Sequence, residues 1–251
     1  MNAPAVSRGE QARQFYNAAA TTSTGFSFMN YGFAPLGAEL ATSEEPERYC
    51  LQLYRRLVDQ VSIRGRRVVE VSSGRGGGGA HIARTYEPAD YLGIDISEEN
   101  VRLATDRFGG IANLRYLVGN AESLPIPSHT VDALVNVEAS HLYDDPAAFF
   151  AQARRVLVPG GKFCHADLCW KDKDPEQLIS AAGFTIESAE DITAHVLQAL
   201  TLDSARREAI VATFPLALQK DFRDWSGVKG YRAYQRLEAG EWVYRAIIAR
   251  A

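Results

Sequence analysis

The chain has 251 residues, enough for one large α/β domain or two small ones. Hydrophobic residues make up 46% and charged residues 23%, near the globular average, which excludes a disordered chain, a fibrous repeat and a disulfide scaffold. A net charge of −4 with no long basic tract argues against nucleic acid as a partner, because that affinity rests on neutralising phosphates. No stretch approaches about 18 uninterrupted apolar residues, so no membrane span is expected. The opening MNAPAVSRGEQARQFYN lacks the apolar core of a secretion signal. Cys50, Cys164 and Cys169 cannot all pair and form no Cys-x-x-Cys, so they read as reduced thiols of a cytoplasmic protein.

Residues 1–42 are rich in Ala, Thr, Gly and Asn and studded with aromatics. They suggest an arm over the active site, with Tyr16, Phe28, Tyr31 and Phe33 covering the bound molecules. From Ser43 to Val61 the apolar spacing predicts a helix, with Ser43 as N-cap, Glu44 and Glu45 in the first turn and Gly65 beyond the end. An alternation follows. Arg67–Val71 reads as a buried strand, then a glycine run and a helix near Ala80–Tyr86. Asp90–Ile96 is a second strand, Ser97–Phe108 a helix capped by Ser97, and Leu114–Val118 a third strand. Val131–Val137 is a fourth, followed by a helix near Ala147–Leu157 stopped at Pro159-Gly160-Gly161, and Lys162–Leu168 a fifth. Such alternation builds a parallel sheet covered on both faces. A short helix over 175–182, a sixth strand at Phe184–Ile186, helices over 190–225 and a last strand at Trp242–Ala249 complete the chain. The expected organisation is an arm (1–42), a core (43–189 and 236–251) and a helical lid inserted at 190–235.

The strongest motif is Glu70-Val-Ser-Ser-Gly74-Arg-Gly76-Gly-Gly-Gly79, directly after the first strand. Glycines there let the backbone turn tightly and a ligand approach closely, but alone they fit a dinucleotide fingerprint or a plain loop. Asp95 closes the second strand about 20 residues on, where an acid holds ribose hydroxyls. Asn120-Ala121-Glu122 follows the third strand, where an amide can face an adenine edge. Glu70 would repel a pyrophosphate, whereas a ligand with an ammonium or sulfonium group would accept it.

With these residues the chain resembles the class I S-adenosylmethionine-dependent methyltransferases. The resemblance rests on VVEVSSGRGGGGAHIAR, YLGIDIS, GNAESLPIP, VDALVNVEASHLYDD, ARRVLVPGGKFCHADL and EWVYRAIIAR. Within that class, NVEASH and the strand ending ADL look similar to the phthiotriol and phenolphthiotriol dimycocerosate and related natural-product O-methyltransferases. The resemblance implies a Rossmann-like seven-stranded sheet, mostly parallel with an antiparallel last strand, and S-adenosyl-L-methionine as cofactor. It implies that Glu70, Ser72, Gly74 and Gly76 wrap the methionine part and that Asp95 holds the ribose beside Ile96. Asn120, Ala121 and Glu122 would meet the adenine, and Asn136 and Tyr31 the remaining cofactor surface. Two positions depart from the family pattern: Ser72 replaces a glycine and Asn120 an aspartate.

His141 follows the fourth strand and Asp167 closes the fifth, both at the carboxyl edge where open α/β sheets bind ligands. A neutral histidine can take the proton of a weakly acidic hydroxyl while an aspartate orients it. Similar methyltransferases of sugars and polyketides use a histidine here, so the resemblance implies His141 as general base with Asp167. His165 is a reserve candidate on the same strand face as Asp167. Asp144-Asp145 reads as a solvated turn, and no metal site is expected. The apolar surplus over 196–218 suits a substrate pocket or a homodimer interface. The expected function is O-methylation of a hydroxyl on a small apolar natural product. The alternatives are C- or N-methylation, or a nicotinamide-dependent oxidoreductase.

Overall fold

The computed structural model describes residues 6–22, 25–37 and 46–251. Seven strands, β1 (Arg67–Val71), β2 (Asp90–Asp95), β3 (Leu114–Val118), β4 (Val131–Val137), β5 (Leu157–Trp170), β6 (Thr185–Asp191) and β7 (Trp242–Arg250), form one sheet ordered β3-β2-β1-β4-β5-β7-β6. Only β7 runs against its neighbours, β5 and β6, as expected of the fold class. The order reverses between β1 and β4, and that switch opens a crevice beyond the carboxyl ends of the strands. All of β1 but its first residue is buried, and β4 is buried along almost all its length, which is why both read as continuous apolar runs.

Helices cover both faces. Leu53 and Leu57 of α2 (Arg48–Val58), Ile82 of α3 (Gly77–Thr85), Val196 and Leu200 of α7 (Thr193–Val211) and Leu237 of α9 (Arg232–Glu238) pack on one side. Phe149 and Phe150 of α5 (Pro146–Val156) and Ile179 of α6 (Pro175–Ala181) pack with Phe163 on the other. The Ser97 hydroxyl accepts the Asn100 N–H at 3.1 Å and starts α4 (Glu98–Phe108), as the sequence leads one to expect.

Several boundaries differ. Residues 1–42, read as an arm with no element assigned to it, contain helix α1 (Arg8–Thr22). Its Phe15 docks on Phe222 and Trp225 of α8 (Leu216–Trp225), so tertiary contact rather than a core-facing stripe sustains it. Ser43, Glu44 and Glu45 lie outside the described residues. Helix α2 starts at Arg48 behind Glu47, whose carboxylate turns away to accept the Ser27 and Phe28 N–H groups at 2.9 and 3.1 Å. Glycines 77–79 belong to α3 rather than preceding it. Helix α5 stops at Val156, and Pro159-Gly160-Gly161 lies inside β5, where the pairing jumps from Val131↔Leu157 to Ala133↔Lys162. Strand β6 runs on to Asp191, so Glu190 and Asp191 belong to it and not to the insertion. Its alternating exposed polar residues mark a sheet edge and hide it from an apolar-run criterion.

Candidate active site

A cavity of about 250 Å³ lies at the switch point. Its floor is the β1 turn, Ser72 to Arg75; its far end is Asp95, Ile96 and Gly119 to Glu122; and Val137 to Ala139 and Leu142 to Asp144 flank it. Residues of α1, including Gly9, Glu10 and Tyr16, and the segment Ser27 to Asn30 roof it. Glu10, Asp95, Glu122, Glu138 and Asp144 share this lining with one arginine, so the cavity is acidic.

The β1 turn is built on left-handed backbone: φ is +60° at Ser72, +54° at Gly74 and +81° at Gly76. Gly76 also leaves no room for a side chain, since a Cβ there would meet the Tyr116 hydroxyl at 2.5 Å. Ser72 adopts this conformation against its steric preference. Its hydroxyl lies 2.7 Å from the Tyr143 hydroxyl, which accepts the Asn136 amide at 2.9 Å. Asp95 ties the turn to the second strand by accepting the Gly74 N–H at 2.8 Å and the Ser97 N–H at 2.9 Å. Burial pushes the Asp95 carboxyl up despite those donors. Asn120 accepts the Glu122 N–H at 2.9 Å, so its side chain is already turned by its own loop.

Of the residues singled out from sequence, Ser72, Gly74, Asp95, Ile96, Asn120, Ala121 and Glu122 line the cavity. Glu70, Gly76, Asn136, Tyr31, His141 and Asp167 are not among its lining residues. Glu70 is fully buried beneath the turn, accepting the Tyr54 hydroxyl at 2.6 Å and the Tyr91 hydroxyl at 2.8 Å. Burial pushes its carboxyl up to about 7. Asn136 donates to the Val71 carbonyl at 3.0 Å and braces β1 against β4. The Tyr31 N–H donates to Glu138 at 2.7 Å, and its hydroxyl donates to the Trp225 carbonyl at 3.0 Å. Arg75, Glu138 and Tyr143 line the cavity too; they lie within the motifs, but the sequence reading gives them no role. Glu138 carries one cue, its place just past a strand that ends at the sheet's carboxyl edge.

His141 and Asp167 do meet. The ring Nδ1 lies 2.7 Å from Asp167 Oδ1, on a 3-10 turn, Ser140–Leu142, beside the cavity wall. Asp167 also accepts the Ser140 hydroxyl at 2.6 Å and the His141 N–H at 3.0 Å. Burial alone would raise the Asp167 carboxyl, but the His141 ring and these donors hold it down at about 2. Burial likewise pulls the His141 ring down, and the Asp167 carboxylate outweighs it, leaving the ring above its usual value. An ionised Asp167 keeps the hydrogen on Nδ1, so Nε2 carries the free lone pair. His165 stacks on Phe163 at 5.5 Å, and its ring lies 3.1 Å from Asn136; burial lowers it to about 4, which makes it core. Asp144 accepts the Arg8 and Gly9 N–H groups and Asp145 the Ala148 N–H, so the acidic pair serves two helix starts. Among the described residues no cluster of metal-ligating side chains occurs, and no helix is long and apolar enough to cross a membrane.

An acidic crevice at the switch point of this sheet, behind a glycine turn, suits a cationic nucleoside cofactor. The chain belongs to the class I S-adenosylmethionine-dependent methyltransferases. A methyltransferase-domain family model matches residues 69–165. The phthiotriol/phenolphthiotriol dimycocerosates methyltransferase of Mycobacterium leprae is 34% identical over 87% of this chain and 83% of its own length. The fatty-acid O-methyltransferase of Mycolicibacterium smegmatis is 35% identical over 87% of this chain and 81% of its own length. The structure of geranyl diphosphate C-methyltransferase from Streptomyces coelicolor, solved with S-adenosyl-L-homocysteine, superposes with a TM-score of 0.72 at 19% identity, covering 99% of each chain. S-Adenosyl-L-methionine is therefore the cofactor, in place of the nicotinamide alternative.

Proposed function

We propose that the protein methylates a hydroxyl oxygen of a small apolar molecule, with His141 as general base. The observation that carries this reading is the 2.7 Å contact between His141 Nδ1 and a buried, ionised Asp167 at the cavity wall. S-Adenosylmethionine, when bound, supplies a sulfonium methyl whose S–C bond breaks with its electron pair returning to sulfur as the new O–C bond forms. The cavity fits that group: its charged lining residues are five acids and one arginine, and its β1 turn is held in the left-handed region. Asp95 would hold the ribose, Asn120 and Ala121 the adenine edge beside Ile96, and Ser72 to Gly74 the methionine part. Carboxylate oxygens have several acceptor sites, so Asp95 can take ribose hydroxyls while keeping its backbone donors.

Positioning supplies much of the rate of an in-line methyl transfer, and the remaining task is the proton of the acceptor hydroxyl. His141 Nε2 takes it, and Asp167 stabilises the imidazolium that forms. An apolar acceptor is supported by a second, smaller cavity between Phe26, Ile210, Val211, Phe214, Phe222 and Trp225, with Arg206 and Arg207 also lining it, which shares Phe28 and Met29 with the first. It is supported too by the relatives, named for phthiotriol and phenolphthiotriol dimycocerosates and for fatty acids. In this reading α7 and α8 form a lid over the acceptor.

A methyl-transfer screen with labelled cofactor against apolar alcohols, acids, amines and activated carbons tests the acceptor class. On the acceptor found, His141→Ala should lower turnover about 10²–10⁴-fold with cofactor affinity nearly unchanged. Full turnover by the variant would remove His141 from the proton's path.

A further inference from the structure

Glu138 is the first residue after β4, and its backbone stands at φ +52°, a conformation that side-chain-bearing residues seldom hold without support. Here the support is explicit. Its N–H donates to the Ala166 carbonyl at 2.7 Å, and its Oε2 accepts the Tyr31 N–H at 2.7 Å and the Tyr244 hydroxyl at 2.8 Å. These contacts hold the carboxyl against the cavity, which it lines. Among the described residues no donor meets Oε1. Because Val71 pairs with Asn136 across β1 and β4, Glu138 stands beside the Ser72–Gly74 turn, remote from Asp95 and Asn120 beyond β2 and β3. On its other side lies β5 with Asp167, and the His141 turn follows it in the chain. Glu138 thus occupies the wall between the methionine end of the cofactor site and the dyad, where an acceptor must stand.

We propose that Glu138 determines acceptor specificity: its carboxylate admits neutral hydroxyl acceptors and turns away carboxylic acids. This rests on the oxygen-directed transfer proposed above. An apolar acid is ionised at neutral pH. Bringing it beside a second carboxylate in a desolvated cavity sets like charges together, whereas an alcohol brings no charge. Burial pushes the Glu138 carboxyl up to about 7, against the Tyr31 and Tyr244 donors and the His141 ring and with the neighbouring Asp167. At pH 8 the charge is therefore present in most molecules.

The test compares a long-chain fatty acid with the fatty alcohol of the same length at pH 8. Wild type should favour the alcohol in kcat/KM. Glu138→Gln keeps an oxygen for Tyr31 and Tyr244 but no charge, and should cut that preference by up to about tenfold at pH 8, mainly by gain on the acid. Glu138→Asp keeps the charge and should keep the preference. A binding measurement accompanies the rates: calorimetry on protein loaded with S-adenosylhomocysteine should show the fatty acid binding more tightly to Glu138→Gln than to wild type. A wild-type preference for the acid would overturn the proposal. So would a Gln variant that loses both activities in equal proportion and binds the acid no better, because that is the signature of a mere brace. If wild type methylates neither compound, the acceptor screen decides on the oxygen-directed reading and the binding comparison decides on Glu138.

Discussion

Asp167→Asn is the substitution whose effects can be worked furthest from the structure. Four donors converge on this carboxylate: the Ser140 hydroxyl, the His141 ring, and the His141 and Leu168 N–H groups, between 2.6 and 3.0 Å. Together they hold a buried acid at about 2, against a usual value of 3.8. A carboxyl lowered in the folded state adds stability that is complete above its unfolded value and is lost as pH falls through the folded one. Lowering the Asp167 carboxyl from 3.8 to about 2 is worth about 2.5 kcal/mol at pH 7. Asparagine also turns an NH₂ toward groups that are themselves donors. The variant should therefore melt about 5–10 °C lower at pH 7. The gap should narrow on acidification from pH 4 towards pH 2, where wild type loses the same charge. In kinetics, the His141 ring loses the carboxylate that raises it, so the rising limb of turnover against pH should move to lower pH while its plateau falls. Equal melting temperatures at pH 7, or a limb that stays in place, would refute the account of the dyad.

Two further substitutions test the scaffold beneath the cavity. Glu70 is raised to about 7 by burial, so the folded state binds the extra proton and stability should decline as pH rises from 4.5 to about 7; Glu70→Gln should remove about 3 kcal/mol of that decline, read as a flatter denaturant midpoint between pH 5 and 8, and an unchanged slope would show that Glu70 ionises freely. At Ser72, whose φ is +60°, glycine relieves the strain and alanine retains it, so Ser72→Gly should exceed Ser72→Ala in stability by about 1 kcal/mol, and the reverse order in urea unfolding would contradict the left-handed turn.

Much of the sheet is legible in the sequence because buried parallel strands leave continuous apolar runs. RVVEV and VDALVNV stand between turn residues with the bounds the structure gives them, and LRYLV does so too although it is a largely exposed edge strand. Legibility fails where stability comes from a partner remote in sequence. Helix α1 carries few buried residues, Ala19 and Ala20, and owes its place to Phe222, Trp225 and the N–H groups that Asp144 accepts. Strand β6 is legible only at its start, Thr185 and Ile186: it sits at an edge, pairs with β7 alone, and the rest of its TIESAED has no apolar run to show.

The same distinction governs the site. Gly74 and Asp95 are legible because a nucleoside cofactor calls for those residue types at strand ends, Ser72 and Asn120 are legible by position although they depart from the family pattern, and all four reach the cavity. Glu70 is legible from its place in the motif, and the fold sets it beneath the turn, accepting the Tyr54 and Tyr91 hydroxyls. Glu138 is the converse. Its sequence neighbours say nothing of the Tyr31 N–H and the Tyr244 hydroxyl, which come from 107 and 106 residues away and hold it against the cavity. A carboxylate in a pocket is identified by its donors, and donors brought together by folding leave no local trace. Acceptor choice depends on such residues, which is why a glycine motif announces the cofactor while the acceptor has to be read from Glu138, His141 and the helices above them.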